Sequence, residues 1–122
     1  MATEDNLLTI SLPVAADYST KQYYIVKTNS SGQAVLAGEG DDAVGVLMDA
    51  PAAANRPGCI AIGGKVKVLC GGNITKGARF SVDSAGKASA VGSSDDYALG
   101  FVLETGASGS IVEAIWAPIG KS

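Results

Sequence analysis

A chain of 122 residues is the size of one ordinary domain and can bury a core without help from metals or disulfides. Nine basic and twelve acidic side chains give a net charge of −3, and no basic run exists that would neutralise a line of phosphates, which argues against nucleic-acid binding. The N-terminus, MATEDNLLTISLP, opens acidic and lacks the pattern of a secretory signal, and no apolar run reaches membrane-spanning length, so a cytosol-like compartment and no membrane partner are expected.

Met1 to Asn6 is small and polar, and leads into Leu7 to Leu12, where Leu8, Ile10 and Leu12 alternate with Thr9 and Ser11. This pattern predicts a loose arm ending in a strand. Pro13 to Ser19 is a connection, Tyr23 to Lys27 is β-branched and aromatic, and Asn29-Ser30-Ser31-Gly32 is a turn from which the chain returns through Gln33 to Leu36. A second turn, Gly38 to Asp42, precedes the apolar strand Ala43 to Met48, in which Gly45 marks a bulge or a close backbone approach. Ala50 to Pro57 reads as an exposed loop, with Pro51 able to start a single helical turn that Asn55 ends. Gly58 to Cys70 has period two on both sides of Gly63-Gly64. It is either a tight hairpin turning at the glycines or one long strand bulged there.

The order of elements then recurs. Thr75-Lys76-Gly77 echoes Thr20-Lys21-Gln22, and Arg79 to Glu104 repeats Tyr24 to Asp49. Asn29, Gly32, Ala34, Gly38, Asp41 and Asp42 stand opposite Asp83, Gly86, Ala88, Gly92, Asp95 and Asp96, and Gly45 stands opposite Gly100 after a one-residue insertion. Gly106 to Gly109 is a further turn, and Ser110 to Trp116 alternates Val112, Ala114 and Trp116 with Glu113. Sixteen glycines and only 17% charged residues suit many short strands. The expected fold is all-β: a small β-barrel or β-sandwich of about ten short strands with an internal repeat and an extended N-terminal arm. The expected division is an arm over residues 1–12 and a single β domain over 13–122, with repeat units at about 20–50 and 75–105.

Chemistry is hard to find in this chain. Without histidine, the commonest general base and most zinc sites are lost. The carboxylate pairs Asp41-Asp42 and Asp95-Asp96 lack the spaced donors of a calcium loop and read as solvated turn residues. Gly120-Lys121-Ser122 has no preceding glycine at Ile115 and no helix to follow, so it is not a phosphate-binding loop, and Gly38-x-Gly40 lacks the third glycine of a dinucleotide fingerprint. Cys59 and Cys70 read as free thiols, and Lys65 and Lys67 as outward charges on a strand. Tyr23, Tyr24 and Trp116 are candidate partner anchors, with core packing as their ordinary role. No catalytic residue, metal site or cofactor is expected.

The order of motifs carries a likeness. From about Leu8 to Pro118 the chain resembles the small head-decoration or capsid cement proteins of tailed bacteriophages, through the polar arm, Ala61-Ile62-Gly63-Gly64-Lys65-Val66-Lys67-Val68, Lys76-Gly77-Ala78-Arg79-Phe80 leading into Asp83-Ser84-Ala85-Gly86-Lys87, and Ala98-Leu99-Gly100-Phe101-Val102 with Gly106-Ala107-Ser108-Gly109. The resemblance implies a non-enzymatic virion protein, assembled in the host cytoplasm, that binds the outer surface of an icosahedral capsid and stabilises contacts between major capsid subunits. It implies the major capsid protein and copies of itself as partners, as homotrimers or, in some relatives, dimers. It also implies an arm that reaches the capsid lattice, for which Thr3, Leu7, Leu8, Ile10 and Leu12 are the candidate contact residues. The competing reading is a small β-barrel that binds sugar or peptide through Tyr23, Tyr24 or Trp116 without catalysis.

Overall fold

The computed structural model describes residues 8–91 and 97–121. Among these residues it contains nine strands and no helix: β1 (Leu8–Pro13), β2 (Ile25–Thr28), β3 (Ala34–Leu36), β4 (Gly45–Leu47), β5 (Pro57–Leu69), β6 (Arg79–Val82), β7 (Ala88–Ala90), β8 (Tyr97–Val102) and β9 (Ile111–Lys121). They form one curled, half-barrel sheet in the order β3-β2-β4-β5-β9-β8-β6-β7, with β1 also on β5 and every ladder antiparallel. The all-β expectation holds.

The glycine pair in the middle of the chain does not turn it. β5 runs on through Gly63 and Gly64, pairing with β1 and β4 over its first half and with β9 from Gly64 onward. Gly64 sits at φ +87°, and the register with β1 slips between Leu8 and Thr9, so the glycines serve as an irregularity where the strand changes partners. Cys59 and Cys70 consequently stand towards opposite ends of this strand, and both are free.

The sheet is the same structure built twice on that strand. Val26 pairs with Gly45 and Leu36 as Phe80 pairs with Gly100 and Ala90. Leu47 meets Ile60 as Val102 meets Ala114. β1 matches the second half of β5: Ile10 opposite Ile60 and Leu12 opposite Gly58 correspond to Val66 opposite Ala114 and Val68 opposite Val112. Just beyond these strands, Val14 forms an isolated parallel bridge to Ala34, and Cys70 forms the same bridge to Ala88, so each unit curls until its first strand reaches its third. The structural repeat therefore starts in β1, earlier than the sequence pattern shows. Leu8 to Leu12 belong to a paired strand, not to a free arm; residues 1–7 and, in the second unit, Gly92, Asp95 and Asp96 lie outside the described residues.

Local chemistry explains the matching turns. The Asn29 Oδ1 accepts the N–H groups of Ser31 and Gln33 at 3.0 and 2.9 Å, and the Asp83 Oδ1 accepts those of Ala85 and Lys87 at 2.8 and 2.9 Å. Each side chain thereby holds a turn whose glycine, Gly32 or Gly86, has φ near +80° (+78° and +83°). Gly45 and Gly100 answer a different need: a Cβ on either would collide with a facing carbonyl, that of Ala61 or of Ile115. The close-approach reading of Gly45 is the correct one.

Side-chain volume is exchanged between units at one point. In the first, Gly58 leaves room for Val14, Leu47 and Pro51; in the second, the counterpart of Gly58 is Val112, and the counterpart of Pro51 is Gly106, where a Cβ would strike Cys70 and Val112. Total volume is conserved while the large residue changes sides. Pro51 is buried within a loop that has no helical turn, and Asn55 ends that loop at φ +67° where the second unit has Gly109 at +88°.

Two apolar clusters fill the fold. Val14, Tyr18, Val26, Ala34, Leu47 and Ile60 line the first unit, and the larger cluster, around Phe80 and Trp116, fills the second and extends into Ile25, Val46 and Ala61 of the first. The Phe80 and Trp116 rings lie 6.1 Å apart at 52°, a tilted arrangement that rings favour. Outside the core, Lys27 Nζ contacts the Asp41 carboxylate at 2.7 Å, and the same oxygen accepts the Gly38 N–H at 2.8 Å. Asp41 is thus a structural member of its turn rather than a merely solvated residue. The Lys27 contact, and after it the Gly38 hydrogen bond, hold its carboxyl below the usual carboxylate range.

Two outcomes follow. Gly100→Ala, which forces a Cβ against a backbone carbonyl, should lower stability by about 1–3 kcal/mol or more in urea unfolding. Gly32→Ala, which meets open space and bears only the left-handed φ, should lose about 1–2 kcal/mol. Because the Asp41 carboxyl is lowered in the folded state, its contribution is complete above the unfolded value of about 4 and is lost as pH falls through the folded value. Asp41→Asn should therefore cost roughly 0.5–1 kcal/mol at pH 7, the exposed ion pair being screened, and the difference from wild type should close as pH falls through the folded value.

Candidate interaction surfaces

The candidate contact residues of the N-terminal region separate into three groups. Thr3 and Leu7 lie outside the described residues. Leu12 is half-buried on the first unit's core, and its strand is already hydrogen-bonded to β5. Leu8 and Ile10 are exposed, at 60% and 36%, although they share the sheet face of Leu12. The apolar alternation of β1 thus runs on past the core it covers and leaves an uncovered stripe. In the second unit the residue equivalent to Ile10, Val66, is 2% exposed.

The three aromatic candidates do not gather into one exposed cluster, which is what the sugar- or peptide-binding reading requires. Trp116 is buried against Phe80. Tyr24 is buried at the junction of the two units, its ring centroid 4.9 Å from Lys21 Nζ and 5.9 Å from Lys87 Nζ. Tyr23 lines an open cleft of about 530 Å³ together with Lys67, Glu104, Ile111, Val112 and Glu113. It holds φ +70° at the position where the second unit has Gly77 at +84°. Its N–H donates to the Leu47 carbonyl at 2.7 Å and its carbonyl accepts the Leu69 N–H at 3.1 Å, so the strained backbone is fixed from both sides.

The cleft's polar groups are tied to one another. Glu104 Oε1 accepts the Glu113 N–H at 2.9 Å, and Glu113 Oε2 lies 3.0 Å from Lys65 Nζ. Among the described residues, no three of His, Cys, Asp and Glu come together in a way that could hold a metal ion. Burial pushes the Cys70 thiol up and keeps it in the unreactive, protonated form. Asp17 is lowered by the Ser19 N–H that its Oδ1 accepts at 2.9 Å, which is the chemistry of a turn.

Sequence reading missed a second exposed region. Ile111 and Leu103 are 51% and 39% exposed, and near them Phe101 is half-buried beneath Arg79, whose guanidinium lies 5.7 Å from the ring centroid. Phe101 and Leu103 carry the apolar signature of a covered strand, and only the structure shows Leu103 exposed and Phe101 half-buried.

Neither a family model nor a curated protein matches the chain. Among solved structures, the chain is similar to one described as the crystal structure of the head fiber gp8.5 N base in bacteriophage phi29, with a TM-score of 0.73 and 12% sequence identity over 91% of this chain and 94% of that one.

Proposed function

We propose that this protein is a structural component of a tailed-phage head, which binds the outside of the icosahedral capsid as a homo-oligomer, with the trimer as its working form, and stabilises contacts between major capsid subunits. The observation that carries the reading is the fold likeness, along nearly the whole chain, to the base of a phage head fiber. The motif order of the sequence points to the same class of protein, and the surface offers apolar patches in place of a constellation of reactive groups.

The contact with the shell is assigned to the segment ahead of β1, including Thr3 and Leu7, together with Leu8 at its root. Leu12 is withdrawn from the contact set because it packs on the first unit's core. Oligomeric binding suits weak individual contacts: when one copy is seated, its neighbours engage at high effective concentration, and modest affinities multiply. Catalysis plays no part in this role.

The test is co-sedimentation with empty, expanded shells of the accompanying major capsid protein. The full chain should saturate the shells at a fixed ratio to capsid subunits, and removal of Ala2 to Leu7, which leaves β1 intact, should weaken binding at least about tenfold while the β-sheet circular dichroism is unchanged. Failure of the intact protein to bind either expanded or unexpanded shells would overturn the capsid reading.

A further inference from the structure

The two units meet through an interface that is used once and left open at both ends. On the first unit, Ile25, Val46 and Ala61 lie in a row across β2, β4 and β5, and all three are fully buried. Beside Ala37 of the first unit, residues of the second unit cover this row. The Gly86 carbonyl accepts the Ile25 N–H at 2.8 Å, and Val66, Val82 and Trp116 join the same apolar cluster. Gly86 itself packs close to Tyr24 and Leu36.

Each half of this contact has a counterpart that, among the described residues, makes no comparable contact. The row equivalent to Ile25, Val46 and Ala61 is Arg79, Phe101 and Ile115, across β6, β8 and β9, and here Arg79 is exposed while the other two are half-buried. The covering elements Val66, Val82, Gly86 and Trp116 correspond to Ile10, Thr28, Gly32 and Ile62; the first three are exposed and Ile62 is half-buried. Gly32 has open space where Gly86 is enclosed. The second unit caps Ile25 of the first with its Gly86 turn, whereas the first unit meets the second through a different turn, the Gly40 N–H donating to the Val82 carbonyl at 3.0 Å and the Gly40 carbonyl accepting the Tyr97 N–H at 3.2 Å; among the described residues no bond joins the Gly32 turn to Arg79. The relation is heterologous, and a heterologous contact repeats from copy to copy, as a ring where its rotation closes and as an open filament where it does not; the oligomer of the proposed function requires the ring.

We infer that a second copy of this chain docks on the Arg79-Phe101-Ile115 row with its own Asn29–Gln33 turn, Ile10 and Ile62, and so repeats between chains the interface already formed within one. In the docked state the Gly32 carbonyl of one copy accepts the Arg79 N–H of the next, as Gly86 accepts that of Ile25. The association is head to tail and closes into a ring, which excludes a symmetric dimer. This inference rests on the self-association in the proposed function and is independent of shell binding.

Analytical ultracentrifugation of the full chain without shells tests it. The wild type should sediment as a closed assembly larger than a dimer, and Ile10→Asp and Phe101→Asp, which spoil opposite halves of the contact, should each sediment as monomers. Mixed together, these two variants should form a heterodimer and nothing larger, because one intact pair of faces remains between them. If Phe101→Asp loses its β-sheet circular dichroism, Arg79→Pro replaces it: it removes the amide in question at the first residue of a strand, a place that proline tolerates. Variants that assemble like wild type, or a mixture that stays monomeric, would overturn the inference while leaving oligomerisation intact. A monomeric wild type would overturn both.

Discussion

The fold depends on β5 remaining a single strand. Its first half supplies the ladder on which β1 and β4 pair, and its second half supplies the ladder for β9, so the two units share a backbone rather than a linker. A reversal at Gly63-Gly64 would remove the edge that one of the units needs. The glycines allow continuity with a change of partner: Gly64 takes up φ +87°, and the slipped register at β1 accommodates the extra residue. From this strand outward, the same pairings, the same turn hydrogen bonds and the same close approach of a glycine to a carbonyl are laid down twice.

Duplication does not make the units equal. Where they meet, the first presents Ile25, Val46 and Ala61 to be covered and the second provides the cover, so homologous positions have diverged according to which side of the contact they occupy. Ile25 is buried and its counterpart Arg79 is exposed; Val66 is buried and its counterpart Ile10 is exposed. Arg79 lies over the half-buried Phe101, its guanidinium 5.7 Å from the ring centroid, and puts a charge where the first unit has the buried Ile25. On the inference drawn above, the exposed Ile10 and the half-buried Phe101 are unpaired ends of an interface that the chain already forms internally.

Much of this was legible in the sequence wherever turn chemistry was involved. Asn29 with Gly32 and Asp83 with Gly86 announce their turns because side-chain acceptance of backbone N–H groups and a positive φ leave few residue choices, and Gly45 with Gly100 betrays the close approach. The first strand of each repeat was not legible as a repeat: Thr9 to Pro13 and Lys65 to Leu69 share alternation and little else, because a strand constrains the face of a side chain and not its identity. The choice between hairpin and strand at Gly63-Gly64 was open for the same reason, since both alternatives preserve period two. Surface exposure was the least legible property. Tyr24 and Trp116 both read as anchors or core, and only the structure places Tyr24 under Lys21 and Lys87 at the unit junction and Trp116 against Phe80 in the core.

The measurement that reaches the central claim most directly is hydrogen exchange of the full-length protein as a function of its concentration, read at single amides by NMR or at short peptides by mass spectrometry. If the internal interface recurs between chains, slowing with concentration should concentrate at the Arg79 amide and in β1 and the Asn29–Gln33 turn, while the Ile25 amide, already bonded to Gly86, stays equally slow throughout. Concentration-dependent protection confined to other segments, or an Arg79 amide that exchanges at the same rate in dilute and concentrated protein that is demonstrably assembled, would contradict the account.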